Sequence, residues 1–289
     1  MSTIYTYTKD NDSPLQMTFF PAIPEYDKHC TLLYLHGGAL IYGERDDLPI
    51  LYREMFLSAG YSILTIDYPL APEEPLPVIV ESIIEGIDWF STHAKNTLKS
   101  QSSDYVLFGR SAGAYLSFVL AKQLLPISPK GIISFYGYSS LIETSFTNPS
   151  SYYNQFPKVT NSSISHLIKT TRQANASIQD RFPIYLRARQ MGSWLSLLLS
   201  DRSLLNDYSL NEVELKKLPP VFLTASSADQ DVPYSVSQQL SQIIPKVQFH
   251  PVLGLPHDFD ADTTNPAGKR VYQAAINWLD QLQVVNNRA

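Results

Sequence analysis

Cysteine is nearly absent. Cys30 is the only one in 289 residues, so no intrachain disulfide can form, and its place at the head of an apolar run reads as a small core residue. A positive excess is lacking too. The 22 Lys and Arg fall short of the 27 Asp and Glu, giving a net charge of −5, and no basic block interleaves with aromatics, which argues against a nucleic-acid partner. No apolar run is long enough to span a membrane, and the longest cluster, around Trp194–Leu199, excludes stable insertion. The first residues, Met1-Ser2-Thr3-Ile4-Tyr5, lack the basic region and apolar core of a secretory signal. A soluble, cytoplasmic chain is therefore expected. There is no metal-ligand spacing and no phosphate-cradling glycine loop, so neither metal nor cofactor is expected.

What is present is a rhythm. Two short strands, Ile4–Thr8 and Gln16–Phe20, flank the turn-rich Asp10-Asn11-Asp12-Ser13-Pro14 and read as an antiparallel pair at a sheet rim. Apolar runs then recur at Thr31–His36, Tyr61–Asp67, Tyr105–Phe108, Gly131–Tyr136, Val221–Ala225 and Val247–Val252. Amphipathic patterns lie between most of them: Leu48–Ala59, Val78–Ala94, Ser111–Leu125 and Tyr234–Ile244, with Gly268–Leu282 last. Continuous apolar strands alternating with helices predict an α/β protein with a mostly parallel sheet of about eight strands, covered on both faces.

One segment breaks the rhythm. Residues 139–218 contain no evident strand and are rich in Ser, Asn and Tyr; so long a stretch must carry helices of its own. The expected ones are Ser163–Ala174 and Ile184–Leu199, the second with Met191, Trp194, Leu195 and Leu198 on one stripe. The expectation is one domain, 1–289, with 139–218 inserted as a helical cap whose Tyr153, Tyr185 and Trp194 contribute to a substrate-pocket wall.

The chemistry centres on Gly109-Arg110-Ser111-Ala112-Gly113, between a strand and a helix. A serine at the tip of so tight a turn needs Gly109 and Gly113 on either side, because a Cβ there would clash. A serine nucleophile also needs a base, an orienting acid and donors for an oxyanion. Loops at the C-terminal ends of parallel strands face one side of the sheet. His257, in Gly254-Leu255-Pro256-His257-Asp258 after the last strand, is the expected base. His250, inside that strand, is the weaker candidate. Asp229, in the loop after Val221–Ala225, is the expected acid, with Asp231 assigned to capping the next helix or loop. In His36-Gly37-Gly38-Ala39-Leu40 the amides of Gly38 and Ala39, with that of Ala112, are the expected oxyanion donors; Gly37 lets the backbone turn and His36 braces the loop.

These motifs (HGGAL, GRSAG, and the Asp229 and His257 loops) resemble the α/β-hydrolase superfamily over essentially the whole chain. Asp67-Tyr68-Pro69-Leu70-Ala71-Pro72-Glu73 is similar to the corresponding run of the hormone-sensitive-lipase-like esterases. Two features depart from that subfamily: an Asp-x-x-Val-Pro acid loop, and a cap placed between the Gly131 and Val221 strands. The resemblance implies a cofactor-independent serine hydrolase acting on a small-molecule carboxylic ester of short to medium acyl length. Amide hydrolysis by the same residues, as in a peptidase or an aryl-formamidase, is the alternative, and a non-catalytic binding protein of this fold is the remote one. A homodimer is an open expectation.

Overall fold

The computed structural model describes residues 2–8, 13–123 and 125–286. The turn expected at Asp10–Asp12, and Leu124 in the third expected helix, lie outside them. Among the described residues, eight strands form one sheet: β1 (Thr3–Thr6), β2 (Gln16–Phe20), β3 (Thr31–Leu35), β4 (Ser62–Ile66), β5 (Tyr105–Arg110), β6 (Ile132–Phe135), β7 (Val221–Ser226) and β8 (Val247–Val252). Their spatial order is β1-β2-β4-β3-β5-β6-β7-β8. The β1–β2 and β2–β4 pairs are antiparallel and all later pairs are parallel. The mostly parallel α/β sheet expected from the alternating pattern is therefore present.

The helices are α1 (Ile50–Ser58), α2 (Leu76–His93), α3 (Ala112–Lys122), α4 (Thr144–Thr147), α5 (Asn161–Ile164), α6 (Ile178–Met191), α7 (Trp194–Leu198), α8 (Glu212–Leu215), α9 (Tyr234–Ile243) and α10 (Pro266–Asn286). Among the described residues, no helix is long and apolar enough to cross a membrane. Alternation along the strands divides the core in two. Leu33, Leu35, Leu64, Ile66 and Leu107 pack on one face with α2 and α3 residues such as Ile83, Ile87 and Leu116. Leu32, Tyr34, Ile63, Val106 and Phe108 pack on the other with Tyr52 and Phe56 of α1 and Tyr272 and Trp278 of α10. Every residue of β3, β4 and β5 is buried, which explains why these strands read as continuous apolar runs.

The order β4-β3-β5 fixes where a site can form. The chain leaves β3 toward one edge and returns on its other side as β5. The loops after β3 and β5 therefore diverge and leave a crevice at the C-terminal strand ends.

Between β6 and β7 lie, among the described residues, four helices of four or five residues and the 14-residue α6, and two expected helices differ. Ser163–Ala174 is not a helix: α5 ends at Ile164, and the following residues are spent on the turn after β4. Lys169 N donates to Glu73 Oε1 at 2.8 Å, Arg172 Nε to Glu74 Oε1 at 3.0 Å, and Leu70 N to Gln173 O at 2.7 Å. Ile184–Leu199 is two helices. The first starts earlier, at a Ser177 cap that accepts from Asp180 N, and ends at left-handed Gly192 (φ 65°). The break takes Met191 off the common stripe and leaves it 54% exposed, whereas Trp194, Leu195 and Leu198 are buried.

Candidate active site

Strand β5 ends on Arg110 and α3 begins at Ala112, so Ser111 alone makes the turn, at φ 53° and ψ −117°. Its amide donates to Phe135 O at 2.9 Å. The flanking glycines are dictated by contact. A Cβ on Gly109 would lie 2.1 Å from the carbonyl carbon of Gly113, and one on Gly113 would lie 2.0 Å from Leu35 O.

His257 Nε2 stands 2.8 Å from Ser111 Oγ, and its Nδ1 stands 2.6 Å from Asp229 Oδ2. With Nδ1 protonated, the ring donates to the carboxylate and Nε2 is left to accept from the serine hydroxyl. The other Asp229 oxygen accepts from the amides of Asp231 and Val232 at 2.8 and 2.9 Å. Burial disfavours the imidazolium, but the Asp229 carboxylate outweighs it and, with Asp231 and Asp258, pushes the His257 pKa up to about 9. Tyr136 packs on the imidazole at 4.7 Å between ring centres. His250 stays in β8, its carbonyl accepting from Thr224 Oγ1.

Asp231 does not cap a helix: the N-cap position of α9 is Pro233, with no side-chain cap. Its carboxylate instead accepts from Tyr185 Oη at 2.6 Å and pairs with Arg189 Nη1 at 3.1 Å. The turn before α9 is closed by Asp229.

The loop after β3 runs through three consecutive positive φ values, 98° at Gly38, 55° at Ala39 and 63° at Leu40. Gly38 O accepts from Ile41 N and Tyr42 N. The amides of Gly38 and Ala39 have no backbone acceptor among the described residues. The Ala112 amide falls in the first turn of α3, where helices lack intrahelical acceptors. His36, fully buried, donates from Nδ1 to Gly37 O at 2.7 Å and stacks on Tyr68, whose hydroxyl donates to His36 O at 2.8 Å. Burial lowers its pKa, which favours the neutral ring. Gly43 is required here, since a Cβ would lie 2.1 Å from His36 Nδ1.

Ser111 and His257 open into a cavity of about 380 Å³, walled by Gly37, Gly38, Ala39, Tyr42, Arg110 and Tyr136, with Ala176–Gln179 from the stretch between β6 and β7 and Asp231 from the loop after β7. Tyr153, Tyr185 and Trp194 are not among its lining residues. Their rings are turned inward instead. Trp194 Nε1 donates to Ala39 O at 3.0 Å, and Tyr153 and Tyr185 face the Arg189 guanidinium at 5.3 and 5.6 Å. The motif reading also missed Arg110, Tyr42 and Tyr136. Tyr42 and Tyr136 follow strand ends on the site face, a position that would have flagged them. Arg110 is buried; it donates from Nε to Tyr136 Oη at 2.8 Å and from Nη2 to Asp260 Oδ1 at 3.2 Å, while Asp260 also accepts from the hydroxyls of Tyr136 and Tyr272. This network stiffens the floor beneath the serine.

A model of the alpha/beta hydrolase fold matches residues 32–261. The chain belongs to that family. A protein of unknown function from Staphylococcus aureus subsp. aureus Mu50 superposes with a TM-score of 0.85 at 30% identity, over 98% of this chain and 99% of that one. An alpha/beta hydrolase superfamily protein from Enterococcus faecalis gives 0.82 at 28%, over 97% and 99%. Among curated proteins, the carboxylic ester hydrolase LipN of Mycobacterium tuberculosis (strain ATCC 25618 / H37Rv) is 34% identical over 91 residues, 32% of this chain and 24% of that protein. The matched stretch spans under a third of the length of the curated relatives.

Proposed function

We propose that this α/β-hydrolase is a serine esterase cleaving small carboxylic esters of short to medium acyl length, and that the 139–218 segment serves as its cap. The observation that carries the reading is the unbroken series Asp229–His257–Ser111, with separations of 2.6 and 2.8 Å. His257 takes the hydroxyl proton as Ser111 Oγ attacks the acyl carbon. Asp229 holds the ring in the tautomer that leaves Nε2 free and stabilises the imidazolium that forms. The amides of Gly38, Ala39 and Ala112 receive the oxyanion, each such donor contributing about 2.7–4 kcal/mol of transition-state stabilisation. The imidazolium then protonates the leaving alcohol, and the neutral ring activates water to release the acid. A cavity of about 380 Å³ suits a small acyl group, and the curated match to a carboxylic ester hydrolase agrees with ester cleavage.

The test is Ser111→Ala against p-nitrophenyl acetate and butyrate, with a fluorophosphonate probe on the unmodified protein. The expected results are labelling at Ser111 and a loss on the order of 10⁶ in kcat for the variant. Retention of a tenth of the hydrolysis would overturn the assignment, as would failure of folded protein to label.

A further inference from the structure

Asp231 connects Asp229 to Arg189, an arginine that the sequence analysis does not single out. Its amide donates to Asp229 Oδ1 at 2.8 Å. Its carboxylate pairs with Arg189 Nη1 at 3.1 Å and its carbonyl accepts from Arg189 Nη2 at 3.3 Å. The guanidinium thus holds both ends of one residue in the turn that carries Asp229, a two-pronged grip that needs a planar fork.

Arg189 is itself held through both terminal nitrogens. It lies on α6 with 3% exposure and also donates to Tyr185 Oη at 3.0 Å and Ser145 O at 3.2 Å. The rings of Phe146, Tyr153 and Tyr185 surround it at 5.3–5.6 Å. An arginine buried so completely in an aromatic cage stays only because its charge is answered, and Asp231 is the carboxylate that answers it. Asp231 in turn lines the cavity shared by Ser111 and His257.

We propose that Arg189, supported by Tyr185, is a positioning residue for hydrolysis: from the insertion it holds Asp231, and through it the turn that presents Asp229 to His257. The inference rests on the esterase reading for its kinetic readout but not for its spectroscopic one. Several groups face His257. Ser111 and Tyr136 approach from the ends of β5 and β6, Asp229 and Asp231 from the loop after β7, and Asp258 from its own loop; Glu44, Asp47 and Arg110 line the same cavity. Of these, Asp231 is the carboxylate that the insertion neutralises.

Arg189→Met, Arg189→Lys and Asp231→Asn separate charge from grip. The His257 ring is followed by NMR titration, assigned with His257→Asn, alongside kcat on p-nitrophenyl acetate. Arg189→Met leaves Asp231 unanswered and frees the turn that holds Asp229, so the His257 midpoint shifts from that of the unmodified protein; Asp231→Asn removes the Asp231 charge and moves it down. Arg189→Lys keeps the charge but not the fork, so the midpoint stays while kcat falls. Loss of the grip is expected to cost on the order of tenfold to a hundredfold in kcat, the effect of a catalytic group displaced by about an ångström. An Arg189→Lys protein with unchanged kcat, or midpoints that stay fixed in both Arg189→Met and Asp231→Asn, would overturn the proposal. Asp231→Asn, nearly isosteric, and Arg189→Lys carry the test if Arg189→Met does not fold. If the midpoints move in a protein that hydrolyses no ester, the coupling of Arg189 and Asp231 to His257 stands and the esterase reading falls.

Discussion

Arg181 of α6 donates to both carboxylate oxygens of Glu73, at 2.8 and 2.6 Å, with 4% and 2% of the two side chains exposed. The same guanidinium reaches Ala71 O at 2.8 Å. The Asp67–Glu73 run therefore ends in a clamp on the insertion, reinforced by the Gly43–Ala176 bridge.

Removing one partner of that clamp strands a buried charge, which costs about 3–5 kcal/mol. Arg181→Met is expected to lower unfolding stability by that amount in urea titration. Lys216→Ala, which deletes the exposed i,i+4 pair with Glu212, should leave the urea midpoint nearly unchanged. Equal effects would mean that the clamp contributes no more than a surface pair.

Glycine substitutions should divide by what the new methyl meets. Gly113→Ala would push Cβ to 2.0 Å from Leu35 O and Gly38→Ala to 1.9 Å from Tyr42 O, the latter also at φ 98°. Both are expected to abolish measurable turnover, or soluble folded protein. Gly254→Ala meets nothing within 4 Å and should carry only the cost of its φ of 70°, roughly 1 kcal/mol. Circular dichroism with ester turnover distinguishes the three.

Asp229→Asn keeps the shape of the acid loop but favours the wrong tautomer of His257. A fall in kcat of about 10⁴ is expected. The pH midpoint of kcat/KM should drop toward or below the ordinary histidine value, since the carboxylate that outweighs burial is gone.

Under the proposed mechanism His257 must be neutral to act as base, so in the unmodified protein kcat/KM should climb with pH through a midpoint above the ordinary 6.5, toward about 9. Stability runs the other way. The folded state holds this proton more tightly than the unfolded chain, so the linkage stabilises fully below about 6.5 and is lost as pH rises through about 9. Denaturation midpoints collected across that window, compared with those of His257→Asn, isolate the contribution.

The sheet was legible because its strands are buried on both faces, and the four site loops because glycine spacing and strand ends constrain them. The insertion was not. Its helix boundaries depend on short signals, the Ser177 cap and Gly192, that a stripe of apolar residues overrides on paper. The stretch after Ile164 gives up helix for contacts to Glu73 and Glu74, which lie about a hundred positions earlier in the chain. Arg189 was invisible for the same reason. An arginine inside a helical pattern reads as solvent-facing, and only tertiary packing turns it onto Asp231.

Ser111 sits in backbone space that L-residues avoid, at φ 53° and ψ −117°, at a typical cost of about 1–3 kcal/mol. The remainder of the fold must outweigh that penalty at all times, whether or not substrate is present. A chain selected only to survive heating would carry glycine at 111; under the proposed function, the serine marks stability surrendered for chemistry.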